Sequence, residues 1–354
     1  MSTATNSLPT SANPRGPSAP SVAVVGATGA VGVEFLRVLA QRRFPLGSLS
    51  LLASARSAGK TVEFDGRRLT IEELTDRSFK GVDLALFSAG SSISKQYAPI
   101  ASAAGATVVD NSSAFRADPD IPLVVPEVNP EAMAGIQLGK GGIIANPNCS
   151  TIIMIVPVTP LYRRAGLKRI VVSTYQAASG AGAKAMAELQ QQTRQVLAGE
   201  PPTCEVFSTQ YAFNLFSHNS DIGPEGYNTE EMKMRKESHK IWGDPGVRIT
   251  ATCVRVPVMR AHAESINLSF QSPLSEGEAR DLLAGAPGIR IVDDRAANRF
   301  PTPLDASDQD DILVGRIRQD MSQDGDLGLD LFVCGDQIRK GAALNAVQIA
   351  ERLL

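Results

Sequence analysis

The chain is poor in the residues that would mark a metal centre, a disulfide scaffold or a polyanion binder. Its four cysteines, Cys149, Cys204, Cys253 and Cys334, are scattered, with no Cys-x-x-Cys pair and no ligand-type spacing. That pattern argues against a zinc motif and a disulfide framework. It fits free thiols in a reducing compartment, the cytoplasm, with a plastid as the alternative for a plant or algal source. The 35 basic and 37 acidic residues leave a formal charge of -2, so neither nucleic acid nor an anionic membrane is expected as a partner. No apolar run approaches the ~20 residues of a membrane span, and there is no secretory apolar segment. Residues 1–20 lack acid altogether; they are rich in Ser, Thr, Pro and Ala, with Arg15 the sole charge. They read as a disordered tail. A transit peptide is the competing reading, and one arginine supports it thinly.

What is present, 354 residues of which 43% are hydrophobic, suffices for two domains with separate cores. Ser21 to Val25 reads as a strand running into Gly26-Ala27-Thr28-Gly29-Ala30-Val31-Gly32, with a helix over 33–40 behind it. This is a dinucleotide fingerprint: Gly26 for the tight turn, Gly29 for close approach to a pyrophosphate, Gly32 for packing helix on strand. A second strand, Leu49 to Ala53, ends in Ser54-Ala55-Arg56-Ser57, with Lys60 close behind and no acid. Hydroxyls and a guanidinium suit a ribose 2′-phosphate, so NADP is the expected cofactor; a solvated loop is the plain alternative. Strands over 82–87 and 106–110 end in Ser88-Ala89-Gly90 and in Asn111 to Arg116. Their small polar ends would gather on the cofactor edge of a doubly wound sheet. Arg116 is a candidate anion ligand there, although a lone arginine is more often a surface residue.

The densest chemical signal is Asn146-Pro147-Asn148-Cys149-Ser150-Thr151, between a strand-like run over 141–145 and an apolar helix-like run over 152–156. A cysteine at a strand-to-helix switch faces the ligand edge of the sheet. The positive helix end should lower its pKa. The ordinary alternative is a small buried hydrophobe. Beyond it the strands lengthen. Gln176 closes the strand Arg169 to Tyr175 and is followed by the small-residue loop Ser179-Gly180-Ala181-Gly182. Asn228 and Glu231 have capping-box spacing, and Glu230 and Lys233 would share a helix face as an ordinary ion pair.

Of three histidines, His239 lies in a charged helical segment and His218 in a polar loop, whereas His262 stands between two strand-like runs, 248–256 and 264–270. A cysteine nucleophile calls for a placed acid/base, and His262 is the favoured one. Arg255 falls on the Ala251 and Cys253 face by period two. An inward arginine is either a substrate clamp or half of a buried pair.

The glycine turn, Ser88-Ala89-Gly90, Asn148 to Thr151, Gln176 with Ser179 to Gly182, Glu230 to Lys233, and Arg255 through His262-Ala263-Glu264-Ser265 together resemble the aspartate-semialdehyde dehydrogenase family. The resemblance runs from Ser21 to the C-terminus. It implies a Rossmann-type domain over 21–147, a mixed α/β catalytic and dimerisation domain over 148–334, and a C-terminal segment, 335–354, returning to the first domain as a helix over 341–353. It implies a homodimer that binds NADP through Gly26, Thr28, Gly29, Ala30, Val31, Gly32, Ser54, Arg56, Ser57, Ser88, Gly90, Ser179 and Gly180. Cys149 would be the nucleophile, His262 the acid/base, and Gln176 would orient the acyl group. Arg255 would hold the substrate carboxylate, Glu230 its amino group, and Arg116 with Lys233 the phosphate. The implied reaction is NADPH-dependent conversion of L-aspartyl-4-phosphate to aspartate 4-semialdehyde, on the way to lysine, threonine, methionine, isoleucine and diaminopimelate. N-acetyl-γ-glutamyl-phosphate reductase is the nearest alternative, although it would have no use for Glu230, and a non-catalytic NADP-binding module is the other. The stretch over 204–227 matches no motif.

Overall fold

In the computed structural model the described residues are 19–354, so all but the last two residues of the expected disordered tail lie outside them. The first sheet comprises β1 (Ser21–Val25), β2 (Ser48–Ala53), the hairpin β3 (Thr61–Phe64) and β4 (Arg67–Glu73), β5 (Leu84–Phe87), β6 (Thr107–Asp110) and β7 (Ile143–Ala145). Its spatial order is β3-β4-β2-β1-β5-β6-β7. All neighbours are parallel except β3 on β4, with Val22 opposite both Leu49 and Leu84. The order reverses direction at β1, so the crevice beyond the carboxyl ends of β1 and β5 is where a dinucleotide belongs.

α1 (Ala30–Gln41) starts on Gly29, three residues earlier than the periodicity suggested, so Ala30, Val31 and Gly32 are already helical. α2 (Ser91–Ala103) follows β5. β7 is shorter than expected because Gly141 and Gly142 take φ of +80° and +97° and lie outside the strand.

α3 (Cys149–Ala165) joins the two halves. Its β-branched run and two internal prolines, Pro157 and Pro160, are poor helix formers. Burial therefore holds it: residues 150–159 are all buried, in the core beneath the second sheet. That sheet contains β8 (Leu167–Gln176), β9 (Phe216–Ser217), β10 (Arg248–Arg255), β11 (His262–Phe270), β12 (Ile289–Ile291), β13 (Ile312–Gln319) and β14 (Gly328–Gly335), in the order β12-β13-β14-β11-β8-β10-β9. Between its strands lie α4 (Ala183–Leu197), α5 (Thr229–Trp242), α6 (Glu276–Ala284) and the single turn α7 (Pro303–Ala306). Along β11, Ile266, Leu268 and Phe270 enter the core shared with α3, while Ser265 is exposed and Asn267 and Ser269 are half-buried. On the far face of this sheet α7 covers one end, where Ala306 packs on Ala263, Leu313 and Cys334, while Tyr175, Thr252 and Ser265 stay exposed in the single chain.

The C-terminal segment differs in detail from a single helix over 341–353. A π-helical turn, Arg339–Ala343, precedes α8 (Leu344–Glu351). Leu344, Val347 and Ala350 pack with Phe35 and Leu39 of α1 in the first domain's core. The buried Lys340 ammonium donates to both Glu127 oxygens, at 2.8 and 2.7 Å, to Asn345 and to Gln348, which ties the turn to the first domain. The 204–227 stretch is ordered by a cluster of Phe207, Tyr211 and Phe216, and by the Glu188 carboxylate accepting the backbone N–H groups of Glu205, Val206 and Phe207. Among the described residues no helix is long and apolar enough to cross a membrane, and no three potential metal ligands assemble.

Candidate active site

Strand register builds the site. Arg255 of β10 lies opposite Gln176 of β8, and His262 of β11 lies opposite Gly335 of β14; β11 and β8 pair with Ala263 opposite Tyr175, so Arg255, Gln176 and His262 form one row at the sheet's edge. Cys149, first residue of α3, is brought over this row, with Sγ 3.6 Å from His262 Nε2. Asn148 caps the helix by accepting the Thr151 N–H. A cleft of about 350 Å³ opens above them.

Glu230 and Lys233, a helical turn apart on α5, form an ion pair at 3.0 Å on the cleft wall. Asn148 Nδ2 donates to Glu230 Oε1 at 2.8 Å, and Gln176 Nε2 donates to the same oxygen at 3.3 Å and to Ser150 Oγ at 3.0 Å. Burial alone would raise the Glu230 carboxyl, but Lys233, His218 and the Asn148 hydrogen bond hold it at about 2, so it is a carboxylate. Arg116 also lines the cleft. Three of its donors are spent on Asn146 O, Asn111 O and the Glu237 carboxylate, leaving two of five for a ligand.

Arg255 is buried and bonds only neutral groups, namely Asn219, His218 and the Ala177 carbonyl. Among the described residues it forms no ion pair. Of the two readings an inward arginine allows, the clamp is the one this geometry favours.

The expected low pKa of Cys149 is overturned. Burial, reinforced by the Glu230 charge, pushes the thiol up to about 12 against the pull of Arg116, Lys233 and Arg255. Loss of water outweighs these cations in the free protein, where the half-buried thiol lines the cleft.

A second cleft of about 510 Å³ lies at the β1–α1 turn, lined by Gly26, Thr28, Gly29, Ser54 and Ser88 among others. A Cβ on Gly32 would stand 2.2 Å from Gly26 O, and one on Gly26 2.9 Å from Ala89 N, so the turn cannot carry side chains there. Arg56, exposed, and Ser57, buried, follow β2 in a 3₁₀ turn, and Gly90 caps α2. Val31, Ser179 and Gly180 line the cysteine's cleft instead, between the two sites.

Residues 21–136 match the family described as semialdehyde dehydrogenase, NAD binding domain, and residues 158–340 the one described as semialdehyde dehydrogenase, dimerisation domain. Over 324 residues the chain is 57% identical to the aspartate-semialdehyde dehydrogenase of Synechocystis sp., covering 92% of this chain and 94% of that one. The chain belongs to the aspartate-semialdehyde dehydrogenase family. The Aquifex aeolicus aspartate-semialdehyde dehydrogenase is 51% identical over 92% of this chain and 95% of its own. The crystal structure of aspartate semialdehyde dehydrogenase II from Vibrio cholerae complexed with ASA superposes with a TM-score of 0.91 at 46% identity, over 95% of this chain and 98% of that one. That of the Candida albicans enzyme with NADP gives 0.73 at 25% identity, over the same shares.

Several groups in this family member's clefts escape a reading of its sequence. His218, set aside there as a loop residue, stands 2.8 Å from Arg255 through Nε2, because the two-residue strand β9 pairs with the end of β10. Glu237 accepts the Asn148 N–H at 2.6 Å and holds Arg116. Gln337 reaches the cleft from beyond β14, bonding Ser179 and, at 2.9 Å, the Ala261 N–H. Glu73 brings a carboxylate to the nucleotide cleft from β4, next to β2 in the sheet.

One buried acid has no partner. Glu264, one row below His262, is fully buried and neither carboxyl oxygen has a hydrogen bond. Burial, with Glu230 adding, raises its pKa well above normal. A raised folded-state pKa gives stability that is complete below the unfolded value and is lost as pH rises through the folded one. Glu264→Gln is therefore expected to flatten the fall of the urea midpoint as pH rises above the ordinary carboxyl range. An unchanged slope would show that Glu264 does not carry it.

Proposed function

We propose that this chain catalyses the NADPH-dependent reductive dephosphorylation of L-aspartyl-4-phosphate to aspartate 4-semialdehyde and phosphate, through a thioester on Cys149. The observation that supports it most is Arg255, a buried guanidinium without an acidic partner beside the Cys149–His262 pair. A zwitterionic substrate supplies what is missing: its α-carboxylate for Arg255 and its α-ammonium for Glu230. Lys233 and the two spare donors of Arg116 are the cations for the phosphate.

Cys149 adds to the acyl carbon and phosphate departs, a good leaving group that needs little help. The N–H groups of Cys149 and Ser150, first in α3, have no acceptor within the helix and suit the developing oxyanion. Gln176, fixed from below by Thr174, would orient the acyl oxygen. The turn over 26–32, Ser54, Ser57, Ser88 and Gly90 would hold NADP, Arg56 would meet the 2′-phosphate, and Val31, Ser179 and Gly180 would flank the nicotinamide end. When bound, NADPH supplies the hydride that turns the thioester into the aldehyde. A homodimer would form through the open face of the second sheet.

Phosphate-dependent reduction of NADP by aspartate semialdehyde, absent with N-acetylglutamate semialdehyde, is the expected assay result. Preference for the acetylated compound, or no activity on either, overturns the proposal. Arg56→Ala should lower the NADPH over NADH ratio of kcat/KM by about tenfold to a hundredfold, the worth of a charge-assisted hydrogen bond. An unchanged ratio would place the 2′-phosphate elsewhere.

A further inference from the structure

The stretch over 204–227, which matches no motif in the sequence, brings consecutive residues to both poles of the cysteine's cleft. His218 N–H donates to Cys253 O at 2.8 Å, continuing the pairing of β9 on β10, and its ring meets Arg255. Arginine only donates, so His218 Nε2 accepts the Arg255 Nη2–H at 2.8 Å and carries no proton of its own. The neutral ring therefore keeps its proton on Nδ1. That proton is donated to Ser220 Oγ, 3.1 Å away. Burial, then the Arg255 charge, holds the His218 pKa at about 4, with Lys233 pushing the same way and Glu230 opposing, so the ring is uncharged at neutral pH.

The same loop fixes the start of α5. Ser220 Oγ accepts the Glu230 N–H at 3.2 Å, and Asp221 O accepts the Thr229 N–H at 2.9 Å. With Asn228 accepting from Glu231, the first three N–H groups of α5 are satisfied, two of them by this loop. Glu230 is thereby pinned from its own backbone. At the other pole Asn219 Oδ1 accepts the Arg255 Nε–H at 3.2 Å, and Ala177 O accepts from Nη1 at 3.5 Å. Three of the five guanidinium protons are spent, and one remains on each terminal nitrogen, the pair a carboxylate takes bidentately. Phe207, from the same stretch, lies 5.8 Å from the Arg255 Cζ and covers one face of the fork.

We infer that His218 and Ser220 are positioning residues that set the separation of the Arg255 guanidinium from the Glu230 carboxylate, and so select a substrate bearing carboxylate and ammonium on one carbon. The inference rests on the zwitterion reading above and deepens it. The chain of contacts Arg255–His218–Ser220–Glu230 is continuous, with no link longer than 3.2 Å. A compound with one of the two charges engages one pole and leaves the other buried group unmet, which such a site penalises. Among the described residues neither His218 nor Ser220 bonds Cys149, so loosening the link should cost discrimination more than turnover.

Phosphate-dependent reduction of NADP by three aldehydes reads the effect: aspartate semialdehyde, 3-aminopropanal, which lacks the carboxylate, and succinate semialdehyde, which lacks the ammonium. His218→Leu, which cannot accept from Arg255, should raise KM for aspartate semialdehyde about tenfold to a hundredfold, the worth of a hydrogen bond to a charged group, with kcat changed less than about threefold. Its kcat/KM preference over 3-aminopropanal should fall by a similar factor. His218→Gln, which keeps an acceptor for Arg255 and a donor for Ser220, should restore both to within about threefold of the unmodified protein. Ser220→Ala, which removes no contact of Arg255 itself, should still lower the preference over each of the other two aldehydes by at least about threefold. An unchanged KM in His218→Leu, a Gln variant no better than Leu, an equal loss on all three aldehydes, or unaltered preferences in Ser220→Ala overturns the inference. A readout without substrate is ¹⁵N-histidine NMR of the full-length protein, with His218 assigned from the signal lost in His218→Gln. It should show a protonated Nδ1 and a bare Nε2 from roughly pH 6 to 9, and a proton on Nε2 in that range overturns the inference. If the unmodified protein oxidises none of the three aldehydes, the reaction proposed above fails, and the tautomer still decides the link.

Discussion

Cys149→Ala should lower kcat for aspartate semialdehyde oxidation by at least about ten-thousandfold, because no other group can form the acyl intermediate. Cys253 and Cys334 are buried, with burial raising their thiols further than that of Cys149, and Cys204 is exposed and does not line the cleft. Ser150 Oγ is already held by Gln176. The nucleotide cleft takes no residue from the first turn of α3, so NADP affinity should change less than about threefold. Steady-state rates and fluorescence titration of NADPH measure the two effects. Residual turnover above about one per cent would mean that hydride transfer proceeds without a thioester.

Arg255→Met should separate function from stability. The guanidinium is buried beside neutral partners, and burial lowers its pKa, a sign that its charge is costly in the folded protein. Replacing it by an apolar chain of similar length removes that cost, and the folded state should gain about 1 to 3 kcal/mol. The same change deletes the cation that, among the described residues lining the cleft, has no acidic partner, and kcat/KM should fall about a hundredfold to a thousandfold, the worth of a bidentate pair in a site poor in water. Arg255→Lys, which keeps charge but loses the fork, should act mainly on KM. Thermal denaturation alongside kinetics decides. A destabilised Met variant would mean that the hydrogen bonds to Asn219, His218 and Ala177 outweigh the cost of the buried charge, and an unaltered KM in the Lys variant would remove Arg255 from the site.

Local chemistry made much of this site legible in the sequence. The glycines of the β1–α1 turn are demanded by backbone contacts, and the capping box of α5 is present with both hydrogen bonds, Asn228 N–H to Glu231 at 2.9 Å and Glu231 N–H to Asn228 at 2.9 Å. Period two placed Arg255 inside. What stayed hidden depends on distant chain. His218 meets Arg255 only because two residues form an edge strand, and nothing in their composition announces it. The hairpin β3–β4 alternates in burial around an Asp65-Gly66 turn, a pattern local sequence carries, but its docking beside β2, which brings Glu73 to the nucleotide cleft, depends on distant chain. The sign of the Cys149 shift was wrong for a related reason. Helix position can be read from sequence, whereas the water lost when distant segments pack around a half-buried thiol cannot.

The π-helical turn over 339–343 packs on the nucleophile so closely that a Cβ on Gly341 would stand 2.8 Å from the Cys149 Cβ. On a ribosome adding about 5–20 residues each second, the roughly 190 residues between the two take some ten to forty seconds to emerge. Throughout that interval the thiol exists without its roof. The burial that keeps it protonated therefore arrives only with the last stretch of synthesis, and a nascent chain stalled before Gly341 would display a cysteine more open to oxidants than the one in the finished enzyme.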